Sequence, residues 1–346
     1  MDKVGRNLHL QRHHPINIIK NRIETHFTNT FKQANGRPLF QTFDNFPPVV
    51  SIQQNFDDLL IPADHISRRP TDTFYTGHST LLRTHTSAHQ THLMRSGVEA
   101  FLVTADCYRR DEIDASHYPV FHQMEGVRIF PPGTDAKEVE LDLKRTVEGV
   151  ARSLLGDVQC RWVDAYFPFT HPSFELEAHF QGNWLEVLGS GVVHQDIMQA
   201  CGLGDRHGWA FGMGIERLAM VLFQIPDIRL FWSRDSRFLD QFREGQLHKF
   251  LPFSKYPHVF KDISFWYDPA SFHENDLYDM VRSIAGDVVE RVAIVDEFVH
   301  PKNKRTSRCY RITYRSMERT LTNEEIDQLQ EKIRDNVRAR PGIELR

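Results

Sequence analysis

The chain has little cysteine: Cys107, Cys160, Cys201 and Cys309 are scattered irregularly through 346 residues, which gives neither a disulfide framework nor a CxxC zinc pair. That usage fits a reducing compartment. Long apolar runs are also missing. The longest, such as LAMVLF at 218–223, fall far short of the roughly 20 residues a bilayer span needs, so no membrane partner is expected. No secretory h-region opens the chain, and there is no repeat or low-complexity tract. Neither sign of charge dominates: 42 Lys and Arg against 46 Asp and Glu leave a net charge of −4, so a nucleic-acid partner requires a local basic patch. No HExxH occurs among the 19 histidines, and no metal site is expected from a ligand motif. The i, i+4, i+7 spacing of His85, His89 and His92 leaves a metal-binding helix face as an alternative.

The apolar fraction of 40% and charged fraction of 25% are those of a globular chain long enough for two or three domains. Near the N-terminus, Lys3, Arg6, Arg12, Lys20 and Arg22 against Asp2 and Glu24 allow the tail of a trimmed organellar presequence. HPINIIKNRIETHF predicts a first helix, with Pro15 in the opening turn and Ile16, Ile19, Ile23 and Phe27 at helical spacing. A helix from about Ser87 should end at Gly97. AFLVTADCYRR and HQMEGVRIF read as two strands, and residues 135–155 as a charged helix. SFELEAHF and NWLEVLGSG read as a hairpin across Gln181–Gly182. IERLAMVLF then reads as an amphipathic helix halted before Pro226.

Few parallel βαβ units fit this order, and an antiparallel sheet with helices on one face, an α+β fold, is expected. From 251 the order becomes strand VFKDISFW, helix ENDLYDMVRSIAG, strands VVERVAIVDEF and CYRITYRS, helix TNEEIDQLQEKI, and a short GIELR. This βαββαβ succession is the ferredoxin-like plan. We therefore divide the chain at 1–250 and 251–346, with 236–252 as the linker.

Between apolar runs lies CYRRDEIDASHYPVFHQMEG, residues 107–126. A period of two puts Arg109 on one face of its strand, and Phe121, Gln123 and Glu125 on one face of the return strand. Together they offer a guanidinium for phosphate, a ring for a planar base and a carboxylate for an ammonium group. A charged hairpin with a surface Arg–Asp pair is the plain alternative. In FGMGIER, Gly212 and Gly214 permit close backbone approach, and Arg217 falls in the first helical turn. A dinucleotide-binding reading is weak there, because Arg217 takes the place of the third glycine.

These segments resemble the class II aminoacyl-tRNA synthetases, YRRDEIDASHYPVFHQMEG their motif 2 and GMGIERLAM their motif 3. LLRTHTSAHQ, YFPFTHP, WLEVLGSG and HQMEG are similar to the phenylalanyl-tRNA synthetase catalytic core. The section from KYPHVFKDISFW, beginning at Lys255, through CYRITYR is similar to the ferredoxin-like anticodon-binding domain of the single-chain mitochondrial form. RIFPPGTDAKEVELDL is shorter than the connection associated with animal mitochondrial members.

The resemblance implies activation of phenylalanine by ATP, with Mg²⁺ following the triphosphate, and transfer to the 2′-hydroxyl of a phenylalanine tRNA, by a monomer in the mitochondrial matrix. It implies that Arg109 holds the α-phosphate, Arg217 the γ-phosphate end, and Phe121 the adenine. Asp111 stands near the nucleotide, and Ser116, His117 and Tyr118 lie on a loop closing over it. Gln123, Glu125 and Ser87 fix the amino acid's ammonium, helped by His85 and Gln90, with Ala88, His89 and Met124 beside them. Glu186 makes a further substrate contact. Phe167 and Phe169 meet the substrate ring, and Ala210 and Phe211 line the end of its pocket. An ordinary aromatic turn is the alternative for YFPF. A tRNA-binding relative without catalysis would be expected to lack an ATP-holding arginine, and both are present.

Residues 300–319 hold Lys302, Lys304, Arg305, Arg308, Arg311 and Arg315. On CYRITYRS one face should pack on helices while the other meets tRNA phosphates. A solvated basic edge strand is the alternative.

Overall fold

The computed structural model describes residues 3–252 and 256–346; Asp2 and Lys255, named above, lie outside them. The chain forms two compact units. The first runs to Arg109 and adds Val120–Ile225 and Phe242–Lys249; the second comprises Arg110–Pro119, Pro226–Gln241 and Phe250–Arg346. The chain thus enters the second unit twice before its main block, which a single division after residue 250 does not foresee. The cause is apolar: Ile113 of the connection after Arg109 is buried in the core of the second unit with Ile263, Leu277 and Ile312. The expected linker is likewise shared. Phe242 packs on Phe223 in the first unit, and Phe250 on Phe238 in the second.

In the first unit nine strands form: β1 (Gln41–Phe43), β2 (Val49–Ser51), β3 (Thr80–Leu82), β4 (Ala100–Tyr108), β5 (Val120–Ile129), β6 (Cys160–Phe167), β7 (Thr170–Phe180), β8 (Asn183–Val193) and β9 (Gly208–Gly214). Seven make one sheet in the order β1-β4-β5-β9-β8-β7-β6, and β2 pairs separately with β3. Only β1 runs parallel to its neighbour. Three short strands, β6 and the glycine-bearing WAFGMG of β9 go beyond the strands expected. Glycine is depleted in strands, and β9 is held by neighbours on both sides rather than by propensity.

The helix Pro15–Thr30 starts at a proline in its first turn, with the His14 side chain capping the Ile16 N–H. Its stripe of Ile16, Ile19, Ile23 and Phe27 is at most 1% exposed. Phe27 stacks on Phe211 of β9 at 5.8 Å, which seats this helix on one sheet face. Lys20 is buried between Glu24 at 3.1 Å and Asp44 at 2.9 Å, so this part of the N-terminal segment belongs to the core. The helix Ala136–Leu155 is capped by Asp135 and ends at Gly156, whose φ of 84° few other residues adopt. Between β7 and β8, Gln181 and Gly182 both have positive φ, the twist a two-residue hairpin turn requires.

The second unit contains β10 (Val259–Tyr267), helix Glu274–Ala285, β11 (Val289–Val299), β12 (Thr306–Tyr314), helix Asn323–Arg338 and β13 (Ile343–Leu345). Its antiparallel sheet has the order β11-β12-β10-β13, the ferredoxin-like arrangement. Thr322 and Glu325 close a reciprocal capping box at the second helix.

Candidate active site

Register builds the site. Across β4 and β5, Cys107 faces Phe121, Ala105 faces Gln123, and Val103 faces Glu125. Across β5 and β9, Gln123 faces Gly214, Glu125 faces Gly212, and Val127 faces Ala210. Gly212 in turn faces Gly189 on β8. One sheet face therefore carries the aromatic ring, amide and carboxylate in successive rows, beside glycines. A Cβ at Gly212 or Gly214 would meet nothing within 4 Å, so the surface beside Glu125 and Gln123 is open.

Three side chains at this surface carry buried, unsatisfied polar atoms. Both carboxylate oxygens of Glu125, both ring nitrogens of His85, and both amide atoms of Gln90 lack a hydrogen-bond partner. Such groups destabilise a fold unless something binds them, which makes the trio a mark of a ligand site. Burial pushes the Glu125 carboxyl up to about 7; Ser87 and Thr86 pull the other way without reaching full hydrogen-bond geometry. Burial, with the Arg109 guanidinium adding to it, drives His85 down to about 3, so its ring is neutral. Gln123 accepts from the Thr86 N–H at 3.4 Å, tying the turn that carries His85 and Ser87 to β5.

On the β4 side of this surface Arg109 donates to the Thr84 carbonyl at 2.9 Å and lies over the Phe121 ring at 5.1 Å. On the side of β9 and β8, Arg217 lies in the first turn of the helix Ile215–Phe223 and pairs with Glu186 at 3.0 Å. Glu175, missed in the sequence, stands nearby; its carboxyl is raised by burial and by Glu186 and Glu177, with Arg217 opposing. Alternation along β7 was the signal that could have revealed it.

The aromatic turn lies over the glycines. A Cβ on Gly189 would come within 2.8 Å of the Phe167 ring, so only glycine leaves room for it. Phe167 stacks with Phe169 at 5.9 Å. Phe169 is 6.4 Å from the His85 ring and packs on the cluster containing Val103, Val127 and Ala210. Ala210 thus belongs to the cluster on which Phe169 packs.

Several expected site residues lie elsewhere. Phe211 points to the opposite face, against Phe27, and a Cβ on Gly126 would come within 2.2 Å of its ring. Strand alternation separates it from Ala210, so it does not line the pocket. Met124 faces Thr104 and Met213 in the register and is fully buried on that same opposite face. Ala88 belongs to the apolar cluster of Val50, Phe56 and Leu81. His89 is held by Arg83 at 3.0 Å and stacks on Phe46 at 4.3 Å, a packing role. The expected helix begins as a 3₁₀ turn, Thr86–His89, and turns α only at Gln90, so His85, His89 and His92 do not share one helical face.

Asp111, Ser116, His117 and Tyr118 belong to the second unit. There the Tyr118 hydroxyl donates to Asp287 at 2.6 Å and its ring stacks on Trp232 at 5.5 Å. His117 lies 2.8 Å from Asp114, which also accepts from the backbone of Ser116 and His117. The Asp111 carboxylate accepts the Glu112 N–H at 2.9 Å. Among the described residues Glu112, Asp114 and His117 are close enough to share a cation, but most of their donor atoms serve this local turn.

The basic strand also differs from expectation. Arg311 is held bidentately by Asp262, both bonds at 2.8 Å. Arg315 pairs with Glu290, and Arg305 with Glu344 at 2.7 Å. Arg308 lies on the same face as Tyr310, Ile312 and Tyr314, where it meets Glu274 and Glu297. Four of the six cations are thus engaged by carboxylates. Lys302 and Lys304 are exposed, without an ion pair among the described residues.

Family models for the tRNA synthetases class II core domain and for the ferredoxin-fold anticodon binding domain match residues 3–242 and 254–346. The chain is 49% identical to the mitochondrial phenylalanine–tRNA ligase of Dictyostelium discoideum, over all of this chain and 87% of that one. It is 50% identical to the mitochondrial enzyme of Mus musculus, covering 100% and 84%. With the chloroplastic/mitochondrial enzyme of Arabidopsis thaliana the identity is 53%, covering 99% and 81%. With both family models matched and these identities extending over essentially the whole chain, the chain belongs to the phenylalanine–tRNA ligases of the class II aminoacyl-tRNA synthetase family.

Proposed function

We propose that this phenylalanine–tRNA ligase binds its amino acid on the face formed by Glu125, Gln123, His85 and Gln90, and ATP between Arg109 and Arg217. The observation that carries the reading is the buried, unpartnered trio of Glu125, His85 and Gln90. An α-amino acid supplies what they lack: an ammonium for Glu125 and a carboxylate within reach of amide and imidazole donors. The neutral His85 ring can donate one hydrogen bond without adding a charge.

The chemistry requires no protein nucleophile. The substrate carboxylate attacks the α-phosphorus, pyrophosphate leaves, and the tRNA 2′-hydroxyl then displaces AMP from the acyl carbon. The protein contributes positioning and neutralisation of charge. Arg109 holds the α-phosphate and, with Phe121, covers the adenine face. Arg217 exchanges Glu186 for the terminal phosphate. Glu175 and Glu186 are oxygen donors of the kind Mg²⁺ takes, and the raised Glu175 carboxyl fits a place for a cation. Bound there with ATP, Mg²⁺ would neutralise phosphate charge.

Phe167, Phe169 and Ala210 form the side-chain pocket, whose apolar walls reject tyrosine's hydroxyl on the order of a hundredfold. The second unit binds tRNA and the enzyme acts as a monomer; the mitochondrial names of the relatives support a role in organellar translation. Amino-acid-dependent ATP–pyrophosphate exchange with each of the twenty amino acids tests the assignment. It should be strongest with phenylalanine, weaker with tyrosine and lost in Arg109→Ala; undiminished exchange in that variant would refute the placement of ATP.

A further inference from the structure

The open face of the second unit's sheet carries an aromatic cluster that the active site does not use. Phe298 on β11, Ser307 on β12 and Trp266 on β10 stand in one row, with Glu344 of β13 next to Trp266. Tyr310, Ile312 and Tyr314 are fully buried in the core beneath the other face, which leaves Ser307 and its row on this one. The small Ser307 lets the flanking rings approach to 5.9 Å, and His300 lies 6.1 Å from Trp266 and 6.3 Å from Phe298. Phe298 is 38% exposed, and Phe260, further along the same face, 52%. Single exposed apolar residues are ordinary; a cluster of rings is not.

Its surroundings choose the partner. Arg305 lies over the Trp266 ring at 5.3 Å, and Arg346 over Trp266 and Phe298 at 5.6 and 5.4 Å. Lys302 and Lys304 are exposed on the turn whose backbone N–H groups bond to His300, and add cations near the rings. A protein partner would favour an aliphatic groove, and a duplex would favour free arginines along β12. Rings bordered by cations suit planar bases on a polyanionic strand. The arginines first read as phosphate contacts are engaged: Arg305, Arg308, Arg311 and Arg315 each hold a carboxylate.

We propose that Trp266 and Phe298, with His300, form a stacking platform for unpaired bases of the tRNA loop, while Lys302, Lys304 and Arg346 meet the flanking phosphates. This rests on the reading of the second unit as a tRNA-binding module, and it moves recognition from the β12 arginines to the aromatic row.

The test uses the full chain and an RNA hairpin carrying the anticodon stem and loop of a phenylalanine tRNA, with 2-aminopurine at each loop position in turn. Stacking predicts fluorescence quenching on binding to the wild type. Trp266→Ala and Phe298→Ala should weaken binding about five- to a hundredfold and abolish the quench, without changing the slope of log Kd against log salt. Trp266→Phe should retain most of the affinity, and phenylalanine-dependent pyrophosphate exchange should stay at the wild-type level in all three, showing an intact catalytic unit. Arg311→Gln should alter binding by no more than about twofold. If the alanine variants bind normally while Arg311→Gln loses affinity and salt slope, the platform is wrong and the tRNA-binding reading stands. If the wild type charges full-length tRNA but binds no hairpin, both fall.

Discussion

Glu216 holds His122 twice: its carboxylate accepts the His122 backbone N–H at 2.7 Å and lies 2.6 Å from the ring Nδ1. Both side chains are almost fully buried. This joins β5, which carries Phe121 and Gln123, to the first turn of the helix that carries Arg217. The distance between the expected adenine platform and the expected γ-phosphate arginine is thus set by a contact on the opposite face of the sheet.

Glu216→Ala should therefore destabilise the protein by about 3–5 kcal/mol in urea unfolding, the range for breaking a buried pair. Glu216→Gln, which keeps an acceptor for the N–H, should fold and raise KM for ATP more than KM for phenylalanine. Equal effects on both constants would mean that Glu216 has only a general structural role.

Glu125 should give phenylalanine binding a pH dependence. Its carboxyl titrates near 7 in the fold, and the substrate ammonium favours its ionised form. KM for phenylalanine should fall about tenfold between pH 6 and pH 8 in the wild type. Glu125→Gln should bind weakly with a flat profile.

The same group makes a stability prediction. From its ordinary value near 4.5 up to about 7, the unfolded chain has released a proton that the folded chain retains. Stability without substrate therefore decreases as pH rises through that window and levels off above it. Thermal unfolding of Glu125→Gln should lack this decline; identical slopes for both proteins would place the titration elsewhere.

Two glycines on opposite faces should behave in opposite ways. A Cβ at Gly212 meets open space, whereas one at Gly126 would come within 2.2 Å of the Phe211 ring. Gly212→Ala should keep its melting temperature and lose pyrophosphate exchange, because the methyl enters the substrate surface. Gly126→Ala should lose about 1–3 kcal/mol through overpacking. Full activity in Gly212→Ala would show that no substrate approaches that strand.

Ala210→Gly should admit para-substituted phenylalanines, since Ala210 sits with Phe169 in the apolar cluster at the pocket. Pyrophosphate exchange with para-chlorophenylalanine measures this. Kinetics unchanged from the wild type would remove Ala210 from the pocket wall.

Most of the secondary structure was legible because its causes are local. Pro15 and the isoleucine stripe specify the first helix, Gln181–Gly182 the hairpin turn, and Thr322 with Glu325 the last helix. Arg109, Phe121, Gln123, Glu125 and Arg217 were legible as a candidate site because alternation and motif order bring out residue chemistry. Phe211 and Met124 were misplaced because proximity in a motif does not say which face a strand residue takes.

Local pattern and residue chemistry determined most of the elements and the candidate binding groups, and ordered motifs pointed to the family. Tertiary structure decided which groups are free to bind. Register placed Gly212 beside Glu125, leaving its carboxylate unsatisfied before an open surface. Strand pairing set Asp262 against Arg311 and Phe298 in one row with Trp266. Period-two alternation belongs to one strand and can be read along it, whereas pairing joins residues far apart in sequence. A charge shows its chemistry in the sequence, but its partner is known only after the strands meet.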